Sequence, residues 1–140
     1  MTPELADFAG SWLLDRRIRD HRGGREGRFL GRAAFVPAGA ALAYHEEGLL
    51  TLEGQAPLQA ERRYLWRAEG GRIIVDHGDG RPFHGFDPAA PEARHLCAPD
   101  DYAVRYDFAR WPLWTAEWTV RGPRKDYTLL SAYVPLAVAG

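Results

Sequence analysis

Residues 58–86 read LQAERRYLWRAEGGRIIVDHGDGRPFHGF, and their pattern decides the fold. Tyr64 and Trp66 alternate with Arg63 and Arg67, a period of two that belongs to a half-buried strand. The run stops at Gly70-Gly71, resumes over 72–77, and stops again at Asp79-Gly80, a strong signal for a two-residue hairpin turn. Three short strands joined by tight turns form an antiparallel meander. The same grammar extends in both directions: strands are expected at 11–20, 26–36, 41–52, 58–68, 72–77, 82–87, 93–97, 101–109, 113–121 and 126–134, with Gly- and Pro-rich breaks between them. Only residues 3–9, PELADFA, suggest a short helical turn, with Pro3 suited to its first turn. Ten strands in simple succession favour an all-β, up-and-down barrel, because closure removes the exposed edges that invite aggregation. Gly31, Gly48 and Gly85 lie inside strand patterns, where sharp bends of a barrel wall are made.

The turns also carry parity around the barrel, since opposed residues on antiparallel strands share a face. With Trp12 inward, Leu14 and Arg16 follow, and folding at 21–24 sets Arg16 near Phe29. The next turns bring Tyr44 and Glu46 inward and place Glu46 near Tyr64. Trp66 then opposes Val75, Tyr64 opposes His77, and Val75 opposes His84, which in turn faces His95. The last hairpin groups Trp114, Ala116 and Trp118 with Tyr127, Leu129, Ser131 and Tyr133. The expected inner face mixes aromatic and aliphatic residues with Arg16, Tyr44, Glu46, Arg62, Tyr64, His77, His84 and His95. Arg17, Arg32, Arg63 and Arg67 fall on the solvent face. A one-residue slip would exchange Tyr64 and Trp66 for Arg63 and Arg67 inside, at a severe desolvation cost.

Composition narrows the functional classes. The 140 residues suit one domain over 1–140, and 18 basic against 19 acidic side chains leave no positive field for a nucleic acid. The longest apolar stretch is far short of a membrane-spanning helix. The start MTPELADFAGSW has no basic segment followed by an apolar one, and Cys97 is the single cysteine, so a cytoplasmic protein without an internal disulfide is expected. Lys125 is the only lysine, which leaves little scope for Schiff-base chemistry.

The opening Gly10-Ser11-Trp12 is similar to the Gly-x-Trp start of lipocalins and related calycin barrels. An ordered set extends the likeness: Gly31-Arg32-Ala33, Tyr44-His45-Glu46-Glu47-Gly48, Arg62-Arg63-Tyr64-Leu65-Trp66, Gly80-Arg81-Pro82-Phe83-His84, His95-Leu96-Cys97, Asp100-Asp101-Tyr102 and Gly122-Pro123-Arg124-Lys125-Asp126-Tyr127. Together they resemble a bacterial and fungal domain family of unknown function with a calycin-like barrel, over essentially the whole chain. The resemblance implies a barrel and carries over no catalytic residue. Nitrobindin-like barrels share the Gly-x-Trp start and bind haem through a histidine near the C-terminus, but residues 96–140 contain no histidine, and no cofactor is expected. Phenolic acid decarboxylases hold tyrosines, an arginine and a glutamate inside such a barrel without a cofactor, and Tyr44, Glu46, Arg62 and Tyr64 are a similar set by composition.

Ionisable groups on an inner face point to a polar cavity, because burying a charge is costly unless it is paired. The expected ligand-binding set is Arg16, Tyr44, Glu46, Arg62, Tyr64, Trp66, His84, His95 and Trp118, and the expected partner is a small aromatic or amphipathic molecule, with no nucleic acid and no membrane. The bland alternative is that Arg16, Glu46 and Arg62 form a structural ion-pair network. A second functional reading is a cofactor-free decarboxylase or isomerase of small acids, with Glu46 or His84 moving protons and Arg62 holding a carboxylate; Glu47 replaces Glu46 if the register slips. A third is a protein-interaction barrel with a dry interior. His84, His95 and Cys97 lack the spacing of a zinc signature, and no metal is expected. Asp100, Tyr102, Arg124, Lys125 and Asp126 are candidates to meet at one barrel end, and Trp111, Trp114 and Trp118 to supply stacking surface.

Overall fold

A computed structural model of the chain describes residues 2–136. Residue 1 and residues 137–140 of the expected 1–140 domain lie outside the described residues. The ten strands are β1 (Gly10–Asp20), β2 (Arg25–Ala38), β3 (Ala41–Leu52), β4 (Leu58–Glu69), β5 (Arg72–His77), β6 (Pro82–Phe86), β7 (Glu92–Cys97), β8 (Asp100–Arg110), β9 (Leu113–Arg121) and β10 (Asp126–Pro135), preceded by a 3-10 turn at Leu5–Phe8. They form one antiparallel sheet in the order β6-β5-β4-β3-β2-β1-β10-β9-β8-β7, so the pairing of β1 with β10 wraps the meander into a barrel. Closure stops one ladder short. No hydrogen-bonded ladder joins β6 to β7; a single bridge, Asp87 to Ala90, sits between them. The reason lies in the local sequence: Pro82 opens β6 and Pro91 precedes β7, and a residue without an N–H is tolerated at a sheet edge and not in a central ladder. Both edges are short, which limits their exposure to foreign strands.

The ladders keep the expected parity. Arg16 opposes Phe29, Trp66 opposes Val75, Tyr64 opposes His77, and Val75 opposes His84. Two registers differ from the sequence expectation. Glu46 opposes Arg62, and Tyr44 opposes Tyr64, because Gly54 at φ +75° makes a tight early turn in which Gln55 N–H donates to Leu52 O at 3.1 Å. A shift of two residues leaves every side chain on its face. His84 and His95 are not ladder partners, since β6 and β7 are unpaired; His95 opposes Tyr102 on β8. Arg17, Arg32 and Arg63 are exposed, and Arg67 lies half-exposed on the outer wall, paired with Glu69 and with the buried Asp76.

One end of the barrel is packed solid. The 3-10 turn, whose Glu4 N–H donates to Asp7 Oδ2 at 2.7 Å, drops Phe8 into the opening, where it is fully buried. Its ring centroid lies 4.9 Å from Trp111 and 5.3 Å from both Trp66 and Trp114, and Trp12 Nε1 donates to Phe8 O at 2.9 Å. Complete burial of such a ring contributes roughly 1.5–3 kcal/mol. On the wall, Gly31 and Gly48 are ladder partners in close contact: a Cβ on Gly31 would stand 2.1 Å from the Glu47 carbonyl oxygen, and one on Gly48 2.3 Å from that of Leu30. The two backbones can approach this closely because neither position carries a side chain.

Candidate functional site

Away from the Phe8 plug the interior is hollow. A cavity of about 390 Å3 is lined by Arg16, Tyr44, Glu46, Arg62, Tyr64, Trp66, His84, His95 and Trp118, so all nine sequence-selected positions reach it. Strand β4 sets its depth scale: Trp66 is buried at the floor, Tyr64 is half-buried, and Arg62 is exposed at the mouth. Alternation alone puts these three on one face at successive levels about 6.6 Å apart.

The inner wall carries a closed polar network. Arg16 grips Glu46 with two hydrogen bonds, Nη1 to Oε2 at 2.6 Å and Nη2 to Oε1 at 2.9 Å, and its Nε donates to Ser131 Oγ at 2.7 Å. Tyr44 OH donates to Glu46 Oε1 at 2.7 Å. Because that donation uses the only hydroxyl proton of Tyr44, its 2.9 Å bond with Tyr133 OH has Tyr133 as donor. Burial alone pushes the Glu46 carboxyl up, but the hydrogen bonds and charge of Arg16 outweigh it and hold the group below its ordinary value. Burial likewise pulls the Arg16 guanidinium down, and Glu46 more than reverses this, leaving it raised. Burial raises Tyr44 well above the usual phenol, and raises Tyr133 to about 12. The result is an ionised pair with its donors and acceptors matched. Arg62 is not in it: it opposes Glu46 in register but has no hydrogen-bond or ion-pair partner among the described residues.

Higher in the wall, His84 is 9% exposed and its Nε2 lies 2.8 Å from Tyr106 OH, while Nδ1 has no protein partner. Burial first, then the charges of His95 and His77, bring its imidazole down to about 3, so the ring is neutral at physiological pH. Beside it stands a residue that alternation assigns to the outer face. The β5–β6 ladder skips from Val75–His84 to Asp76–Pro82, and this bulge leaves Phe83 unopposed and turned inward. Its ring stacks 5.0 Å from Trp118 at 5°, 4.6 Å from His77 at 22° and 5.8 Å from Tyr64 at 18°. Phe83 thus links the β4–β5 wall to β9 across the unpaired seam. Pro82 was the available signal, since a proline inside a run marks an edge or a bulge.

Of the residues expected at one barrel end, Asp100, Tyr102 and Lys125 do meet: Lys125 Nζ lies 3.2 Å from Asp100 Oδ2 and 3.3 Å from Tyr102 OH. The hydrogen bond to Asp100 raises the Lys125 ammonium. Cys97 is exposed and lines the mouth with His95. His84, His95 and Cys97 do not converge on one point; among the described residues the donor atoms close enough to share an ion are those of His45, Glu47 and Glu61, on the outer wall.

The model of a family of unknown function (DUF6314) matches residues 8–135, from the Phe8 plug to the end of β10. The chain belongs to this family. No curated protein matches this DUF6314 member in sequence. Among solved structures its fold is similar to that of the S-type phycobiliprotein lyase CPES from Guillardia theta, with a TM-score of 0.63 over 96% of this chain and 92% of that one, at 9% sequence identity. At that identity the likeness is one of fold.

Proposed function

We propose that this DUF6314 barrel is a small-molecule-binding protein: a single calycin-like domain of the cytoplasm that holds a planar, amphipathic molecule in its cavity without a cofactor. The observation that carries the reading is the make-up of the hollow. Stacked rings of Trp118, Phe83 and Tyr64 offer apolar area, while several polar side chains on the wall, among them Arg62, Tyr64 and His95, have no hydrogen-bond partner among the described residues. Apolar walls with a few unspent polar groups are how ligand pockets combine affinity with orientation, and about 390 Å3 lies at the small end of their usual range. A similar barrel in a protein described as a phycobiliprotein lyase supports a fold suited to such work.

The cofactor-free decarboxylase or isomerase has less support. Proton transfer near neutrality needs a group poised near neutrality. Glu46 is held ionised by three donors, and His84 is held neutral down to about 3. A cytoplasmic setting agrees with the free thiol of Cys97, and among the described residues no helix is long and apolar enough to cross a membrane. Native mass spectrometry of freshly purified protein tests the reading: a retained small molecule, or a one-to-one mass shift with members of an aromatic-acid library, is expected. A bare mass that no library member shifts contradicts it.

A further inference from the structure

The side chains that line the cavity divide unevenly between donors and acceptors, and the imbalance sets the sign of charge that suits the hollow. Its wall carries three guanidinium groups, Arg16, Arg62 and Arg81, and one carboxylate, Glu46. Arg16 and Glu46 neutralise each other, and Arg81 is held by Asp79 of the β5–β6 turn, Nε to Oδ2 at 2.7 Å. Arg62 is the charge of the wall left without a counter-charge among the described residues. The spare neutral groups lean the same way. Tyr64, Tyr127, His77, His95 and the Trp118 indole also line the hollow with no side-chain hydrogen bond among the described residues. Trp118, like Arg62, can only donate; each phenol has one proton to give, and each imidazole carries a ring N–H in either tautomer. Burial raises the Tyr127 phenol and lowers the His77 imidazole, which keeps the first protonated and the second uncharged at physiological pH. The one lining side chain that can only accept is Glu46, and its oxygens already take three hydrogen bonds.

Resting on the reading of the cavity as a small-molecule site, we infer that its ligand is an organic anion, a planar apolar body bearing a carboxylate or an equivalent oxyanion, and that Arg62 is the residue that selects its charge. An oxyanion brings acceptors and a negative charge, the two things the wall lacks. A cation brings neither: it would stand in the field of the uncompensated Arg62, and the carboxylate that could receive it is closed off by Arg16 and Tyr44. Ring faces such as those of Trp118 and Phe83 attract cations too, but with no free carboxylate on the wall nothing answers the repulsion from Arg62. A neutral ligand gains nothing from that charge. The charge of Arg62 is felt on two strands of the wall. Behind the larger effects of burial, Arg16 and Tyr44 it lowers the Glu46 carboxyl on β3, and behind those of burial, Tyr102 and Lys125 it lowers the Tyr127 phenol on β10. Its planar fork suits a carboxylate, and its exposure at the mouth makes capture cheap in lost hydration.

The test uses three probes that share one ring system and differ in charge, 2-naphthoate, 2-naphthamide and 2-naphthylmethylammonium, titrated calorimetrically into the whole chain near neutral pH. The acid is expected to bind roughly five- to tenfold tighter than the amide, the margin between a charged and a neutral hydrogen bond, and the ammonium to bind weakest. Arg62→Gln should bring the acid down to the amide and leave the amide unchanged, whereas Arg62→Lys, which retains the charge, should keep a preference for the acid. An amide that binds the native chain as tightly as the acid, or an ammonium that binds tightest, overturns the anionic assignment and leaves the cavity reading standing. A preference for the acid that survives Arg62→Gln undiminished overturns the role of Arg62. Failure of all three probes to bind overturns the cavity reading itself, and this inference with it. Because the probes are compared first on the native chain, the sign of the ligand's charge stays open to refutation even where a variant fails to fold.

Discussion

Lowering the pH should destabilise this barrel well before its carboxylates titrate, and His84 is the reason. Its imidazole ionises at about 3 in the fold against 6.5 for an exposed histidine. Between those values the unfolded chain binds a proton that the folded chain refuses, so stability rises with pH across this window and falls as pH is lowered through it. At pH 5 the unfolded ring sits about 1.5 pH units below its own pKa, and at roughly 1.4 kcal/mol per unit the native state has lost about 2 kcal/mol relative to pH 8. His77, partly exposed and also lowered by burial, adds a smaller loss of the same sign. Glu46, Asp15, Glu61 and Asp79 are all held below their ordinary values, so their contributions are lost only at lower pH. Urea unfolding at pH 8 and pH 5 measures the difference, and His84→Phe should remove about 2 kcal/mol of it. A stability that does not change between the two pH values, or an unchanged loss in His84→Phe, refutes the placement of His84 as a buried neutral ring.

Two further predictions concern the wall. Glu46→Gln leaves the buried Arg16 guanidinium without its counter-charge and should cost about 3–5 kcal/mol in urea unfolding, whereas Arg16→Met combined with Glu46→Leu should recover most of the loss. Gly31→Ala drives a methyl group to 2.1 Å from a backbone oxygen on β3, and should cost roughly 3 kcal/mol or more, read as a lowered unfolding midpoint.

Strand boundaries and parity were legible because both are written locally. Gly70-Gly71 and Asp79-Gly80 fix two hairpins, and alternation then carries Trp66, Val75 and His84 to one face. Even the misplaced turn after Leu52 moved the register by two residues and left Glu46 inside. What local pattern does not contain is contact across the barrel. Tyr106 lies two strands beyond His84 in sequence and meets it through the interior, so neither alternation nor turn chemistry links them. The same holds for the hydrogen bond that Arg16 donates to Ser131, 115 residues apart. The inward turn of Phe83 depends on a bulge that breaks the alternation used to assign faces. The seam between β6 and β7 depends on Pro82, which the sequence places at the start of a strand, and on Pro91, which reads as an ordinary turn residue.

The chain carries its own reporters for the central claim, because its five tryptophans divide between the cavity and the packed end. Trp118 and Trp66 line the cavity, while Trp12 and Trp111 pack around Phe8 at the plug. Titrating 15N-indole-labelled protein with 2-naphthoic acid and following the indole N–H resonances reads both regions at once. A ligand held in the hollow predicts saturable shifts at Trp118 and Trp66 with Trp12 and Trp111 unmoved. Resonances of Trp118 and Trp66 that stay in place at saturating 2-naphthoic acid, or that move no more than those of Trp12 and Trp111, contradict a binding cavity in this barrel.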